Sequence, residues 1–440
     1  MLLLGINRKI GRLLPPVLWF LLAWVALTRS GAGEFRIAPE APTMDRWVYF
    51  IGDVLGDRPV APTFASFDPR FDTRDGQFLL GWNTATLLNT NAGPGQYLIR
   101  RVQLTVSVTV GNALEYDPTF DSYLTYLTNQ PGYVPDHDIG RPVELYGAAF
   151  RNGFTAESFK ENSSYGKVNP FSSDSITIET RNAFAAMFGT NGTLIDIANN
   201  VGQANAAWTK APFEVRPWAI GQTTNAQPGE LVPQYATFTF KLDLSDPLVM
   251  GYLQSALNEG RLRLFLSSLS PATQVTPGGV GGGGSGAYPQ WATRENALAD
   301  LPLLEIEGVL VGPDDTDDDN LPDDWERFYF GSLSVNADTD SDQDSSNDEA
   351  EFRAGTDPRS ATSNFRITGS TFDADGNAVL RFGLAPSRNY RVEWSTDLEE
   401  WSPAQGVLSY PEPGIAVFLE QKLNVPPSPP RQSFYRVVAE

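Results

Sequence analysis

The sequence predicts a mainly β chain: a large β-sandwich with helical insertions, a short acidic linker module and a small C-terminal β-sandwich. Three observations carry that expectation. Hydrophobic residues alternate with polar ones at a period of two in several segments, the mark of strands with one buried face. Turn formers are dense, with 39 Gly and 33 Pro, and long helical patterns are scarce. Ten Trp and 26 Phe supply enough apolar volume for packed cores, which argues against disorder. At 440 residues the chain exceeds one ordinary domain, so two or three are expected.

The N-terminus reads as an export signal over 1–32. Arg8, Lys9 and Arg12 precede an apolar run over 13–27, and Ser30-Gly31-Ala32 offers small residues for cleavage. The run is shorter than the ~20 residues of a spanning helix, so a cleaved signal and no membrane span in the mature chain are expected, with an uncleaved anchor as the alternative. The expected location is secreted or cell-surface. Cysteine is absent, which excludes disulfides, thiolate metal sites and thiol nucleophiles. An exported chain without disulfides needs another staple, and bound cations can supply one.

The large β-domain is expected over 33–311. In 102–110, Val102, Leu104, Val106, Val108 and Val110 share one face, while Gln103, Thr105, Ser107 and Thr109 share the other. Phe238, Phe240, Leu242 and Leu244 repeat the pattern, as do Leu262, Leu264 and Leu266. Leu304, Ile306 and Gly308 follow it, with Glu305 and Glu307 outward. A helix is predicted after 244: Ser245 caps it, Pro247 suits its first turn, and Gly260 ends it. Leu248, Val249, Tyr252, Leu253, Ala256 and Leu257 form its apolar stripe. Shorter helices are expected at 181–188 and 194–200. The Gly-rich stretch 278–286 has neither the Lys-Ser/Thr nor the helix of a phosphate loop and reads as a flexible connection.

Residues 99–106 (Ile-Arg-Arg-Val-Gln-Leu-Thr-Val), the Gly turn and strand within 257–266, and Trp291-Ala292-Thr293-Arg294-Glu295 followed by Pro302-Leu303-Leu304 resemble the DNRLRE-type modules of bacterial extracellular proteins. That resemblance implies a jelly-roll fold related to polysaccharide-binding domains. The stretch 116–217 is longer than a minimal module of that kind carries.

Over 361–440, residues 378–382, 390–394, 415–419 and 434–438 read as short strands, with Asp375-Gly376 as a turn and Pro-rich links at 411–413 and 426–430. A small antiparallel sandwich closes such a set. Residues 389–398 (Asn-Tyr-Arg-Val-Glu-Trp-Ser-Thr-Asp-Leu), Trp401 and the terminal Phe434-Tyr435-Arg436-Val437 resemble a C-terminal module of large bacterial surface proteins. The resemblance implies a fibronectin-like accessory domain without catalytic residues.

The acidic module, 312–360, is the most informative segment. Of the net charge of −21, residues 314–357 hold sixteen acids against Arg327 and Arg353. An acidic run is ordinarily a solvated tail, so spacing has to decide. Asp315, Asp317, Asp319, Asp323 and Glu326 occupy positions 1, 3, 5, 9 and 12 of a twelve-residue loop, and Leu321 can offer its carbonyl at position 7. Asp340, Asp342, Asp344, Asp348 and Glu351 repeat the order, with Ser346 at position 7. That is the ligand order of EF-hand-type Ca²⁺ loops, in which alternating carboxylates converge on one hard cation. Position 6 needs a left-handed backbone. Asn320 accommodates it better than Ser345, so the second loop is expected to be weaker or more strained. Short helices are expected at 325–330, ended by Gly331, and at 349–354, ended by Gly355. The pair, closing on Ala354-Gly355-Thr356-Asp357-Pro358, resembles the thrombospondin type 3-like Ca²⁺ repeats of bacterial secreted proteins, which prefer Gly at position 6.

Other chemistries find little material. Phosphate-backbone binding needs basic stripes that the sequence lacks, so no nucleic-acid partner is expected. His137 is the single histidine, which excludes a two-His zinc motif, and no Gly-x-Ser-x-Gly elbow exists to pair with it. Paired carboxylates could hydrolyse glycosides, and Glu144, Asp136, Glu157, Glu161 and Asp196 are acids of the large domain without a distinguishing motif. Trp47, Trp82, Trp208 and Trp218 could stack on sugars or fill the core. The leading expectation is a non-catalytic, Ca²⁺-binding exported protein for adhesion or polysaccharide binding. A carbohydrate-active hydrolase or lyase and a structural cell-envelope component are the alternatives.

Overall fold

The structure is a computed structural model that describes residues 33–439, apart from 40, 50–55, 67–71, 127–131, 165, 167–180, 205–208, 272–287, 413–414 and 422–432. The export signal, the Gly-rich stretch, Trp208 and the later Pro-rich link lie outside the described residues.

The chain is mainly β. One antiparallel sheet orders the strands Glu34–Ile37, Leu303–Leu310, Tyr97–Ser107 and Thr237–Lys241 side by side. A second orders Met44–Val48, Arg74–Asn83, Arg261–Ser268, Val143–Phe150, Ala183–Phe188 and Leu194–Asp196. Val102, Leu104, Val106, Phe238, Phe240 and Ile306 of the first sheet meet Phe78, Leu80, Trp82, Leu145, Leu262 and Leu264 of the second in one core. The period-two alternation of the first sheet follows, since its other face is solvated. There Arg101 and Arg36 form a ladder of ion pairs with Glu305 and Glu307.

The second sheet is buried on both faces. Leu79, Tyr146, Phe265, Ala183 and Ala185 point away from the shared core into another, closed by Phe159, Ile197 and Val215 of the long insertion. This burial explains two corrections. Residues 181–188 and 194–200 are not helices: Ala183–Phe188 and Leu194–Asp196 are strands paired with each other, and residues 198–200 form a turn. A run buried on both sides has no polar face to report its period, so Ala-rich sequence there mimics helix.

Helix α1 spans Pro247–Glu259, and its cap is Asp246 rather than Ser245: the Asp246 carboxylate accepts from the Leu248 N–H. Gly260 closes it at φ 72°, left-handed as expected. Trp82 and Trp218 are buried and Trp47 is half-buried.

The C-terminal domain has more strands than the four expected. Ile367–Phe372, Ala378–Gly383, Ile415–Glu420 and Gly406–Glu412 form one sheet, and Ser402–Pro403, Tyr390–Ser395 and Phe434–Ala439 another. Both contribute to one small core around Leu380, Phe382, Val392 and Phe418. This domain meets α1 through Leu248 and through the Ser387 hydroxyl, which donates to Gln254 Oε1 at 2.8 Å. Among the described residues, no helix is long and apolar enough to cross a membrane.

Candidate metal centre

The acidic module folds as two loop–helix units, with α2 over Asp323–Phe330 and α3 over Asp348–Ala354. Both helices end on left-handed glycines, Gly331 at φ 75° and Gly355 at φ 81°. Trp325, 2% exposed, sits between Tyr329, Phe330 and Phe352 and so joins the helices. Leu321 is buried beside it with Val311 and Ala337. The position-7 residue of the first loop therefore has two jobs: its side chain fills this core while its carbonyl belongs to the loop.

The loops share most of their internal hydrogen bonds at a separation of 25 residues. Asp315 accepts from the N–H groups of Asp319 and Asn320 at 3.2 and 3.0 Å, as Asp340 does from Asp344 and Ser345 at 3.1 and 2.9 Å. Leu321 donates to Asp319 at 2.8 Å and Ser346 to Asp344 at 2.8 Å. Asp323 accepts from the Thr316 N–H and hydroxyl, and Asp348 from those of Ser341. The backbone repeats too: positions 4 and 6 are left-handed in both, at Asp318 and Asn320 (φ 59° and 77°) and at Gln343 and Ser345 (φ 65° and 81°). Asn tolerates this conformation through its short polar side chain, whereas Ser does so at more cost.

These turns bring carboxylates together. In the first loop Asp315, Asp317 and Asp319 each offer an oxygen within 4.8 Å of the others, and so do Asp317, Asp323 and Glu326. Asp340, Asp342 and Asp344 do the same in the second. Asp348 and Glu351 belong to no group that close among the described residues, so the second loop is the more open of the two.

The glutamates at position 12 are the least comfortable groups. Glu326 is fully buried, and neither of its carboxylate oxygens has a hydrogen-bond partner. Glu351 is fully buried as well; one oxygen accepts from the Thr356 hydroxyl at 3.0 Å and the other has no partner. Burial first, and then the charges of Asp317 and Asp319, push Glu326 up to about 7. Burial likewise pushes Glu351 up to about 8, against the opposing Thr356 bond and with help from Asp342 and Asp344. Asp342 is raised by burial and by Asp344. Asp323 moves down instead, because the Thr316 hydroxyl and N–H bond its charged form. A buried carboxylate without a donor is costly, and one divalent cation shared by five carboxylates removes that cost. The donors are all oxygen, which suits a hard cation.

Sequence reasoning missed Asp324. Its Oδ2 accepts from the Gly312 N–H at 3.0 Å and packs against Gly33, where a Cβ would fall 2.6 Å from that oxygen. Asp324 thus packs the start of α2 against Gly33, the residue before the first strand. The available signal was an acid in the first turn of a predicted helix. From the other side, Arg366 of the C-terminal domain donates to the Asp344 carbonyl at 3.1 Å, and Arg388 to the Ala354 carbonyl at 3.2 Å.

The large domain has a groove of about 1140 Å³ lined by Phe120, Thr237, Thr239, Gln222, Arg216 and the buried Trp218. The five acids singled out there by sequence are each held by an arginine: Glu144 by Arg74, Asp136 by Arg141, Glu157 by Arg261, Glu161 by Arg294 and Asp196 by Arg151. His137 is exposed. No family model, curated protein or solved structure matches the chain.

Proposed function

We propose that the 312–360 module binds two Ca²⁺ ions and that the chain is an exported protein whose large domain binds polysaccharide or serves adhesion. The observation that carries the metal reading is Glu326: a fully buried carboxylate with two unpartnered oxygens beside loop aspartates, echoed by Glu351. Five carboxylates and a carbonyl per loop meet the six to eight oxygens that Ca²⁺ takes, and they exceed what Mg²⁺ accepts with its retained waters. Asp315, Asp317, Asp319, Leu321, Asp323 and Glu326 would hold one ion, and Asp340, Asp342, Asp344, Ser346, Asp348 and Glu351 the other. Within each set Asp323 and Asp348 already accept from position 2, so they brace the loop as well as charging it.

The resemblances in the sequence supply the rest: a jelly-roll large domain, thrombospondin type 3-like repeats and a fibronectin-like accessory domain, on a chain that begins with an export signal. What supports polysaccharide as ligand is the groove, whose lining sets threonines and Gln222 beside the exposed ring of Phe120, with Trp218 buried behind them. Sugars present hydroxyls and C–H faces that such a lining fits. In this reading Ca²⁺ neutralises the module and fixes the two β-domains through Asp324, Arg366 and Arg388. Chelator titration of the full chain, followed by Trp325 fluorescence, tests the metal reading: an unchanged signal refutes it. A glycan array tests the ligand. Retention without turnover is expected, and release of reducing ends would replace binding with hydrolysis.

A further inference from the structure

A third acidic cluster lies far from the module, in the large domain. Asp117, Asp121 and Asp138 each place a carboxylate oxygen within 4.8 Å of the other two. They come from a segment that the sequence reading left without a role. We infer that these three aspartates form a further site for a hard divalent cation, Ca²⁺ by its donor set, on the rim of the Trp218 groove.

Crowded acids alone would not justify this. Asp117 is 2% exposed; its Oδ1 accepts from the Thr119 N–H at 2.8 Å, and the single Thr119 hydroxyl proton is shared between that oxygen at 2.8 Å and Asp138 Oδ2 at 2.7 Å. The Oδ2 of Asp117 is buried and has no partner. A buried, unpartnered carboxylate oxygen beside two further carboxylates is the arrangement that a cation relieves. Asp121, 6% exposed, is already bound by Arg141 at 2.6 Å, and Arg141 also holds Asp136. The Arg141 guanidinium thus pairs with Asp121 and Asp136, and the charges of Asp117 and Asp138 are left in excess beside them. Asp138 is exposed, which leaves the site open to solvent for ion entry. All three donors are oxygens, so a soft metal is disfavoured.

The position gives the site a consequence. Gln222 donates to the Pro118 carbonyl at 3.1 Å, and the Tyr116 hydroxyl bonds Gln222 at 3.1 Å. Phe120, 43% exposed, stands on the groove from the same segment. A cation joining Asp117 to Asp138 would hold together the two ends of the chain segment that carries Phe120.

The test is a titration of the full-length protein with Tb³⁺, a hard cation read by its luminescence, with Ca²⁺ as competitor. Asp138→Asn is the main variant, because an exposed side chain can be changed without disturbing the core; Asp117→Asn is the second. Each is expected to take up one equivalent fewer than the wild type. A variant with Glu326→Gln and Glu351→Gln separates this site from the module: it should keep an equivalent that adding Asp138→Asn removes. If Asp138→Asn and Asp117→Asn take up as many equivalents as the wild type, the inference is overturned. Unchanged uptake by the Glu326→Gln, Glu351→Gln variant would count against the module instead.

Discussion

Lowering the pH from 8 to 6 should weaken Ca²⁺ binding unequally at the two loops, and the size of the effect follows from two side chains. In the cation-free fold Glu326 titrates at about 7 and Glu351 at about 8, both raised chiefly by burial. A cation binds only the ionised forms, so protons and Ca²⁺ compete. Between pH 8 and pH 6 the affinity should fall about ten-fold at the first loop and about fifty-fold at the second. At pH 7 binding should release about 1.4 protons per chain, since Glu326 is about half protonated there and Glu351 about nine-tenths. The sign for stability is the reverse in the absence of metal. A carboxyl whose folded value is raised stabilises the fold below its unfolded value, near 4.5, and that contribution is lost as pH rises through 7 and 8. Cation-free protein should therefore melt highest in mild acid, and Ca²⁺ should have its largest effect above pH 8. Calorimetric titration at several pH values, in two buffers of different ionisation enthalpy, measures affinity and proton release together. Equal affinities at pH 6 and 8 without proton release would show that neither glutamate meets the ion.

Further outcomes follow from individual residues. Glu326→Gln should raise the melting temperature of chelated protein at pH 8, by removing a buried unpartnered charge, and should abolish the equivalent of Ca²⁺ bound at the first loop; a melting temperature that falls instead would contradict the account of that carboxylate. Ser345→Gly should tighten the second loop by about 0.5–1 kcal/mol, two- to five-fold, because it frees a left-handed position from a side chain. Asn320→Gly should change the first loop less, and a larger gain there would reverse the ranking of the loops. Gly147→Ala drives a Cβ into the Trp218 ring, so it should cost about 1–3 kcal/mol and distort the groove lining. Thermal unfolding that leaves Gly147→Ala unchanged would place Trp218 elsewhere.

The two acidic loops were legible because the pattern is local. Twelve consecutive residues carry the carboxylates in order, and a second copy twenty-five residues on makes the pattern hard to produce by chance. The left-handed positions at Asn320 and Ser345 and the closing glycines of α2 and α3 follow from the same short stretches. The alternating strands of the solvated sheet were legible for a related reason, since one wet face writes its period into the sequence.

What the sequence determined by itself is thus the β character, the order of the loop carboxylates and the place of α1. Tertiary structure decided the rest. Ala183–Phe188 became a strand because Val143–Phe150 lies beside it and both its faces are covered, a fact with no local signature. Glu144 became a buried partner of Arg74, 70 residues away, and Asp117 met Asp138 across a loop. Only the fold sets which carboxylates lose water and which find a donor, because burial depends on neighbours distant in sequence. That difference separates Glu326, left with no donor, from Asp323, which lies three positions earlier in the loop and is held by Thr316.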